Sequence, residues 1–207
     1  MKNRTRIFIM ILLLALIFSG CEGQGRVGDI AKDYPELNED TPIAYASKDD
    51  VLSMLKHGTG IVLFSWEDCP WCQKYIQFVD DTARDFNIQV LCYDIYEDRE
   101  GDSEFYKEVT KILSSSLEES GAYDAAGKLR VYVPDVSFIV KGEIIGHDNQ
   151  SSMLSSDLDI DGYWSEPEEN GQSREYNLKR KLCNWGEEVC QALDEIGDRG
   201  CSKCSVK

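Results

Sequence analysis

The chain has 207 residues, 38 of them Asp or Glu and 22 Lys or Arg, for a formal net charge of −16 at pH 7. That length suffices for one domain of ordinary size with a sizeable core, plus extensions. So acidic a surface repels nucleic-acid phosphates and bare anionic lipid headgroups, which excludes charge-driven binding to either.

Lys2, Arg4 and Arg6 precede the apolar run "IFIMILLLALIF" at 7–18, and small residues then lead to Cys21. This is the organisation of an export signal over residues 1–20. The apolar run is about a dozen residues, short of the roughly 20 that cross a bilayer as a helix. The residues "FSGC" at 18–21 resemble the lipobox of bacterial lipoproteins, with Phe18 where Leu is usual. The resemblance implies that Cys21 receives diacylglycerol and tethers the protein to the extracytoplasmic face of a bacterial cell membrane; the alternative is a plain secretory signal with an incidental cysteine. Loss of the signal removes three bases and no acid, so 19 bases would face 38 acids. An exported chain lives where disulfides persist, so its eight cysteines read first as thiol/disulfide chemistry and only then as zinc ligands.

Residues 21–41 are acidic and Gly-rich without sustained periodicity, and are expected to form a solvated tether to a domain spanning 42–207. "PIAYA" at 42–46 predicts a short strand. "SKDDVLSMLKHG" at 47–58 predicts a helix with Ser47 as N-cap, Asp50 in the capping-box position and Gly58 as stop. "GIVLFSW" at 60–66 predicts a buried strand, 69–86 a helix beginning at "CPWC", and "IQVLCYDIY" at 88–96 another strand. Residues 101–120 carry a helical stripe of Phe105, Val109, Ile112, Leu113 and Leu117. Residues 128–147 predict two strands joined by a hairpin at Gly142, 148–172 an acidic loop, and 173–197 a long amphipathic helix interrupted only at Gly186. Helices alternating with strands imply a parallel component, and the final hairpin an antiparallel one, hence an α/β fold with a mixed sheet.

Cys-x-x-Cys spacing alone serves redox chemistry and zinc equally well. Here Cys69 and Cys72 follow a buried strand and open a helix, and "YVPDVSFIVKGEIIG" lies downstream with Val133–Pro134 at a strand start. Together with the element order, these features resemble the thioredoxin-like fold family, over roughly 42–147 plus the last helix. The nearest look is to small secreted proteins of the bacteriocin-transport-accessory kind. The resemblance implies a central mixed sheet flanked by helices, and a cis-proline, Pro134, opposite the active cysteines. It further implies that Val133 and Pro134 hold the substrate backbone. The physical case agrees: a helix N-terminus offers unpaired N–H groups and partial positive charge, which favour a thiolate at Cys69. Cys72, one turn along, is within bridging range but more shielded, as suits the resolving thiol. Trp71, and Trp66 if it does not simply pack in the core, would add an apolar docking rim. One departure stands out. Where thioredoxins carry a buried acid six residues before the first cysteine, this chain has Leu63. Glu67 and Asp68 can replace that acid only from the surface, and their charges are expected to raise the Cys69 pKa.

Cys92, in an apolar strand, reads as an inert buried thiol. Cys183 and Cys190 are about 10 Å apart along an unbroken helix, too far to bridge each other. An extended "CSKC" tail turning back near Gly197 and Gly200 spans a similar distance, so nested bridges Cys190–Cys201 and Cys183–Cys204 are expected, pinning the tail to the last helix. Rivals are a second redox pair, Cys201 with Cys204, and a four-cysteine zinc site. Residues 157–168, "DLDIDGYWSEPE", match an EF-hand loop pattern, but Pro167 obstructs an exiting helix and Trp164 is bulky, so the match reads as chance. His57 and His147 sit at element ends, where both read as structural or solvent-facing, and no base is designated for a cysteine hydrolase.

The expected protein is an extracytoplasmic, membrane-tethered thiol/disulfide oxidoreductase. It would act through Cys69 and Cys72 on exported proteins or peptides, need a redox partner, and use no cofactor or metal. The competing expectation is a noncatalytic accessory module that holds an exported peptide, such as a bacteriocin, in the same groove.

Overall fold

The structure, a computed structural model, describes residues 29–149, 156–195 and 201. The helix α1 (Ile30–Asp33) precedes the strand β1 (Ile43–Tyr45) and α2 (Lys48–His57). The latter starts in the expected capping box: the Ser47 Oγ accepts from the Asp50 N–H at 3.1 Å, and the Asp50 carboxylate accepts from the Ser47 N–H at 3.1 Å. Next come β2 (Gly60–Ser65), α3 (Pro70–Phe86), β3 (Val90–Asp94), α4 (Tyr96–Glu100), α5 (Glu104–Ile112) and α6 (Ser114–Glu119). The chain closes with β4 (Asp135–Val140), β5 (Glu143–Asn149), α7 (Ile160–Ser165) and α8 (Arg174–Asp194).

The five strands form one sheet in the order β1-β3-β2-β4-β5, with β1, β3 and β2 parallel and β4 and β5 antiparallel to their neighbours. Both faces are covered. Along β2, Ile61 and Leu63 point into the layer holding α1, α3, α7 and α8, while Val62 and Phe64 point into the layer holding α2, α5 and α6. A strand buried on both sides must be apolar throughout, which is why "IVLF" reads as a continuous run rather than an alternation. The β4–β5 hairpin turns on Lys141 and Gly142, both with positive φ (53° and 81°), the geometry a two-residue loop needs to match strand twist. Lys56 backbone packs against Gly142 so closely that a Cβ there would collide with it. This order, with the antiparallel hairpin at one edge and a cis peptide entering β4, is the thioredoxin-like arrangement expected from the sequence.

Several expectations need correction. Residues 29–41 are not a solvated tether: Ile30, Tyr34 and Leu37 are buried in the core, Ile30 from the short α1 and Tyr34 and Leu37 from the turns that follow it, despite the acidic surroundings. Nor is 148–172 an acidic loop throughout. β5 runs on to Asn149, and α7 buries Tyr163 and Trp164 against α3 and α8. The stripe at 101–120 divides into two helices at Leu113, a fully buried residue. Residues 128–133 approach β4 as irregular chain rather than as strand.

Gly186 does not interrupt α8. It lies where α8 crosses α3, and a Cβ there would sit 2.7 Å from Phe86 Cδ2 and 2.9 Å from Thr82 Cγ2. The missing side chain therefore sets how near the two helices approach. The Cys190–Cys201 disulfide is present, with an S–S distance of 2.03 Å and Cα atoms 5.9 Å apart. Cys183 is disulfide-bonded as well, while Cys204 lies outside the described residues. No helix among the described residues is long and apolar enough to cross a membrane.

Candidate active site

Because β2 and β3 are parallel neighbours, the segments leaving their C-terminal ends emerge side by side at one end of the sheet. The first brings Cys69. It is the N-cap of α3, and its Sγ accepts the Cys72 N–H at 3.2 Å. Pro70 occupies the first helical turn, where its missing N–H has no partner to lose. From across the cleft comes the segment ahead of β4, whose Val133–Pro134 peptide is cis. Its Val133 carbonyl oxygen faces the Cys69 Sγ at 4.0 Å. The expected set of Cys69, Cys72, Val133 and Pro134 is thus brought together, with Trp71 half-buried beside it and edge-on to Tyr163 at 5.2 Å. Cys21, the expected lipid anchor, lies outside the described residues.

Cys72 is 1% exposed and Cys69 7%, so the expected order of shielding holds, but the attacking thiol is more enclosed than the sequence implied. Trp66, Trp71 and Val133 pack against the core around it. Of the two opposing expectations for its acidity, that of a thiolate favoured at a helix start holds and that of a pKa raised by nearby carboxylates does not. Glu67 and Asp68 do not raise the Cys69 pKa; it falls to about 7, held down first by a hydrogen bond from the Cys72 thiol, against the opposing effect of burial. The Cys72 and Trp71 backbone N–H groups and the Arg99 guanidinium add to the lowering. Directed hydrogen bonds at the sulfur outweigh carboxylates that are partly or fully in solvent. The Cys72 thiol moves the other way, pushed well up by burial and then by its partnership with Cys69. One sulfur is therefore poised to attack near neutral pH while the other keeps its proton.

Beneath this pair, Leu63 is buried and apolar, as the sequence requires. The polar contacts there come instead from two hydroxyls. Tyr34 and Ser65, each 1% exposed, lie 2.6 Å apart, and the Ser65 hydroxyl hydrogen-bonds the Cys72 thiol. Burial keeps the Tyr34 phenol far above its ordinary pKa, so it stays protonated and does not act as a base.

Sequence reasoning missed Tyr34, Ser65, Tyr96 and Arg99. The Tyr96 ring stacks on Trp66 at 4.4 Å, and Arg99 lies over Tyr96 at 5.6 Å while donating to the Val131 carbonyl at 3.4 Å. Only the adjacency of the β2 and β3 ends could have pointed to the last two, since "YEDRE" carries no motif of its own.

His147 is not solvent-facing: its side chain is 7% exposed and its Nε2 lies 3.0 Å from the fully buried Asp135 carboxylate, directly behind the cis peptide. The EF-hand-like run winds into α7, with Asp159 spent as its N-cap, Asp161 on Lys74 and Glu168 accepting from Asn177. Among the described residues, no group of three or more His, Cys, Asp or Glu is arranged to hold a metal.

No protein-family model matches the chain, and no curated protein matches its sequence. Among solved structures, it is similar to thioredoxin O2 from Arabidopsis thaliana in its oxidised state, at 15% identity and a TM-score of 0.31, over 56% of this chain and 94% of that one.

Proposed function

We propose that the protein is a thiol/disulfide oxidoreductase. The observation that supports this best is Cys69 itself, a helix-capping thiol with a pKa near 7, facing the cis Val133–Pro134 segment beside a proton-holding partner, Cys72. The Cys69 thiolate attacks one sulfur of a substrate disulfide and forms a mixed disulfide, and the departing substrate thiolate takes a proton from water. Cys72 then gives up its proton and attacks the Cys69 sulfur, releasing the second substrate thiolate and leaving a Cys69–Cys72 disulfide. The substrate gains two electrons, the pair loses two, and oxidation runs the same steps backwards. A separate dithiol or disulfide partner must reset the pair. Val133 suits the substrate-holding role, since no hydrogen bond among the described residues uses its backbone N–H, next to the attacking sulfur.

The test is insulin reduction and refolding of a scrambled disulfide substrate by the parent and by Cys69→Ser; the variant loses both activities. Unimpaired turnover without Cys69 sinks the reading. The potential of the 69/72 pair then sets the direction, about −270 mV for a reductant and about −120 mV for a strong oxidant.

The proposed setting is the extracytoplasmic face of the membrane, through lipidated Cys21, with exported proteins or peptides as substrates. The Cys190–Cys201 bridge supports it, because such staples persist in oxidising compartments. Release of Cys21→Ala from the membrane fraction is the expected result. The low exposure of Cys69 favours a second reading, a noncatalytic module that grips an exported peptide such as a bacteriocin. Peptide binding that survives Cys69→Ser with Cys72→Ser, in a protein whose parent has no redox activity, selects it.

A further inference from the structure

A cavity of about 710 Å³ opens between α5 and the segment 124–130, at the approach to the cis peptide. In a chain with 38 acids and 22 bases, its lining inverts the balance: Arg99, Lys107, Lys111, Lys128 and Arg130 against Asp102 and Asp124. Some of this charge is already neutralised. Arg99 and Arg130 both reach Glu100, and Lys107 pairs with Glu104 and Asp102. Lys111 and Lys128, both exposed, make no ion pair within 4 Å among the described residues, and act only at longer range on Glu108 and Asp124. One side chain links the cavity to the segment that faces Cys69. Arg99 lines the cavity and donates to the Val131 carbonyl at 3.4 Å, two residues before the carbonyl that faces Cys69.

We infer that this cavity binds a carboxylate-rich segment of the polypeptide whose disulfide is presented to Cys69, an assignment that rests on the oxidoreductase reading. The volume exceeds what a single inorganic anion fills and lies in the range of about 300–1,000 Å³ of sites that hold an organic ligand of many atoms. A polypeptide crossing from cavity to cleft would also lie against the Val131–Val133 backbone. The field of the whole chain opposes acidic partners, so any preference for them must come from local cations.

The test uses the full chain and two synthetic disulfide-bonded peptides that differ only in a flank of Glu or of Gln. At low ionic strength kcat/KM for the Glu-flanked peptide is expected to exceed that for the Gln-flanked one by about three- to tenfold, the range that a few partly solvated ion pairs supply. The ratio falls toward one as salt is raised and in the Lys111→Gln, Lys128→Gln double variant. A ratio of one or less in the parent, or a preference that survives the double variant, overturns the inference. If neither peptide is turned over, the oxidoreductase reading fails by itself. The cavity is then judged by fluorescence anisotropy of a dye-labelled, cysteine-free Glu-rich peptide. Binding to the parent that weakens at least threefold in the double variant supports the cavity, and equal or absent binding removes it.

Discussion

The Tyr34 hydroxyl meets the Ser65 hydroxyl at 2.6 Å in the core, joining the first described segment of the chain to the end of the strand that feeds the active site. Residues 29–41 are therefore part of the domain. Two further contacts from this segment reach the site helix: Gln73 donates to the Asp33 carbonyl at 2.8 Å, and Thr41 donates to Asp80 at 2.5 Å. Tyr34→Phe leaves Ser65 short of a partner and is expected to cost about 1–3 kcal/mol. Tyr34→Ala adds a cavity under the active cysteines and should cost about 3–5 kcal/mol. Urea denaturation reads both. If neither variant moves the midpoint, the segment is not structural and the tether reading returns.

The acidity of Cys69 depends first on a hydrogen bond from the Cys72 thiol. Cys72→Ala removes that donor and keeps the residue 72 N–H, so the Cys69 pKa should climb from about 7 part of the way toward the free value of about 8.5. A thiol of lowered pKa is half thiolate at that pH, so alkylation of Cys69 by iodoacetamide should be half-maximal near pH 7 in the parent and at higher pH in the variant. An unchanged profile would show that backbone donors and Arg99 alone hold the thiolate.

What the sequence disclosed and what it hid follow one rule. Features set by neighbours in the chain were legible: the Ser47–Asp50 box, the two-sided burial of 61–64, the turn at Lys141–Gly142, and Cys69 at a helix start. The site motif was legible for the same reason. What failed was inferred from average composition. Ile30, Tyr34 and Leu37 are three apolar residues that the surrounding acids and glycines masked, and the acids of 157–168 drew attention from Tyr163 and Trp164, which fill the gap between α3 and α8. At Cys69 the N–H donors of the helix start were legible, but the weight given to Glu67 and Asp68 was not right, because the Cys72 thiol that donates to the sulfur becomes decisive only once the chain has turned.

Behind the cis peptide, His147 and Asp135 form a pH-sensitive part of the core. Burial opposes a charge on His147, yet the Asp135 carboxylate, with Asp148 and Glu119 beyond it, overrides that and holds its pKa above the ordinary value. Asn149 donates to Asp135 at 2.6 Å and completes the cluster. A histidine whose folded pKa is raised contributes stability that is fully present below its unfolded pKa of about 6.5, and that is lost as pH rises through the folded value. His147→Gln should therefore be destabilised by about 3–5 kcal/mol near pH 6, where it strips a buried carboxylate of its partner. The gap should narrow near pH 8. Urea unfolding of both proteins at the two pH values decides it, and taking the difference cancels the titration of Cys69. A gap independent of pH would mean that His147 is neutral throughout and serves only as a hydrogen-bond partner.

The two kinds of cysteine pair should answer a reductant differently. Cys190 is buried on α8, and its bridge to Cys201 closes a loop with a separation of 11 residues. A loop of that size restricts the unfolded chain by roughly 3 kcal/mol, which for a domain of this length is worth roughly 5–10 °C in Tm. Cys201→Ser should lower Tm by that amount and make it less sensitive to dithiothreitol than the parent. Cys69→Ser with Cys72→Ser should leave most of the dithiothreitol effect intact, because those two residues are thiols in this structure and, when bridged, close only a short loop. If dithiothreitol instead lowers Tm in Cys201→Ser as much as in the parent, the stapling role belongs to the bridge at Cys183. The fastening of the last helix would then have to be reassigned to that second bond.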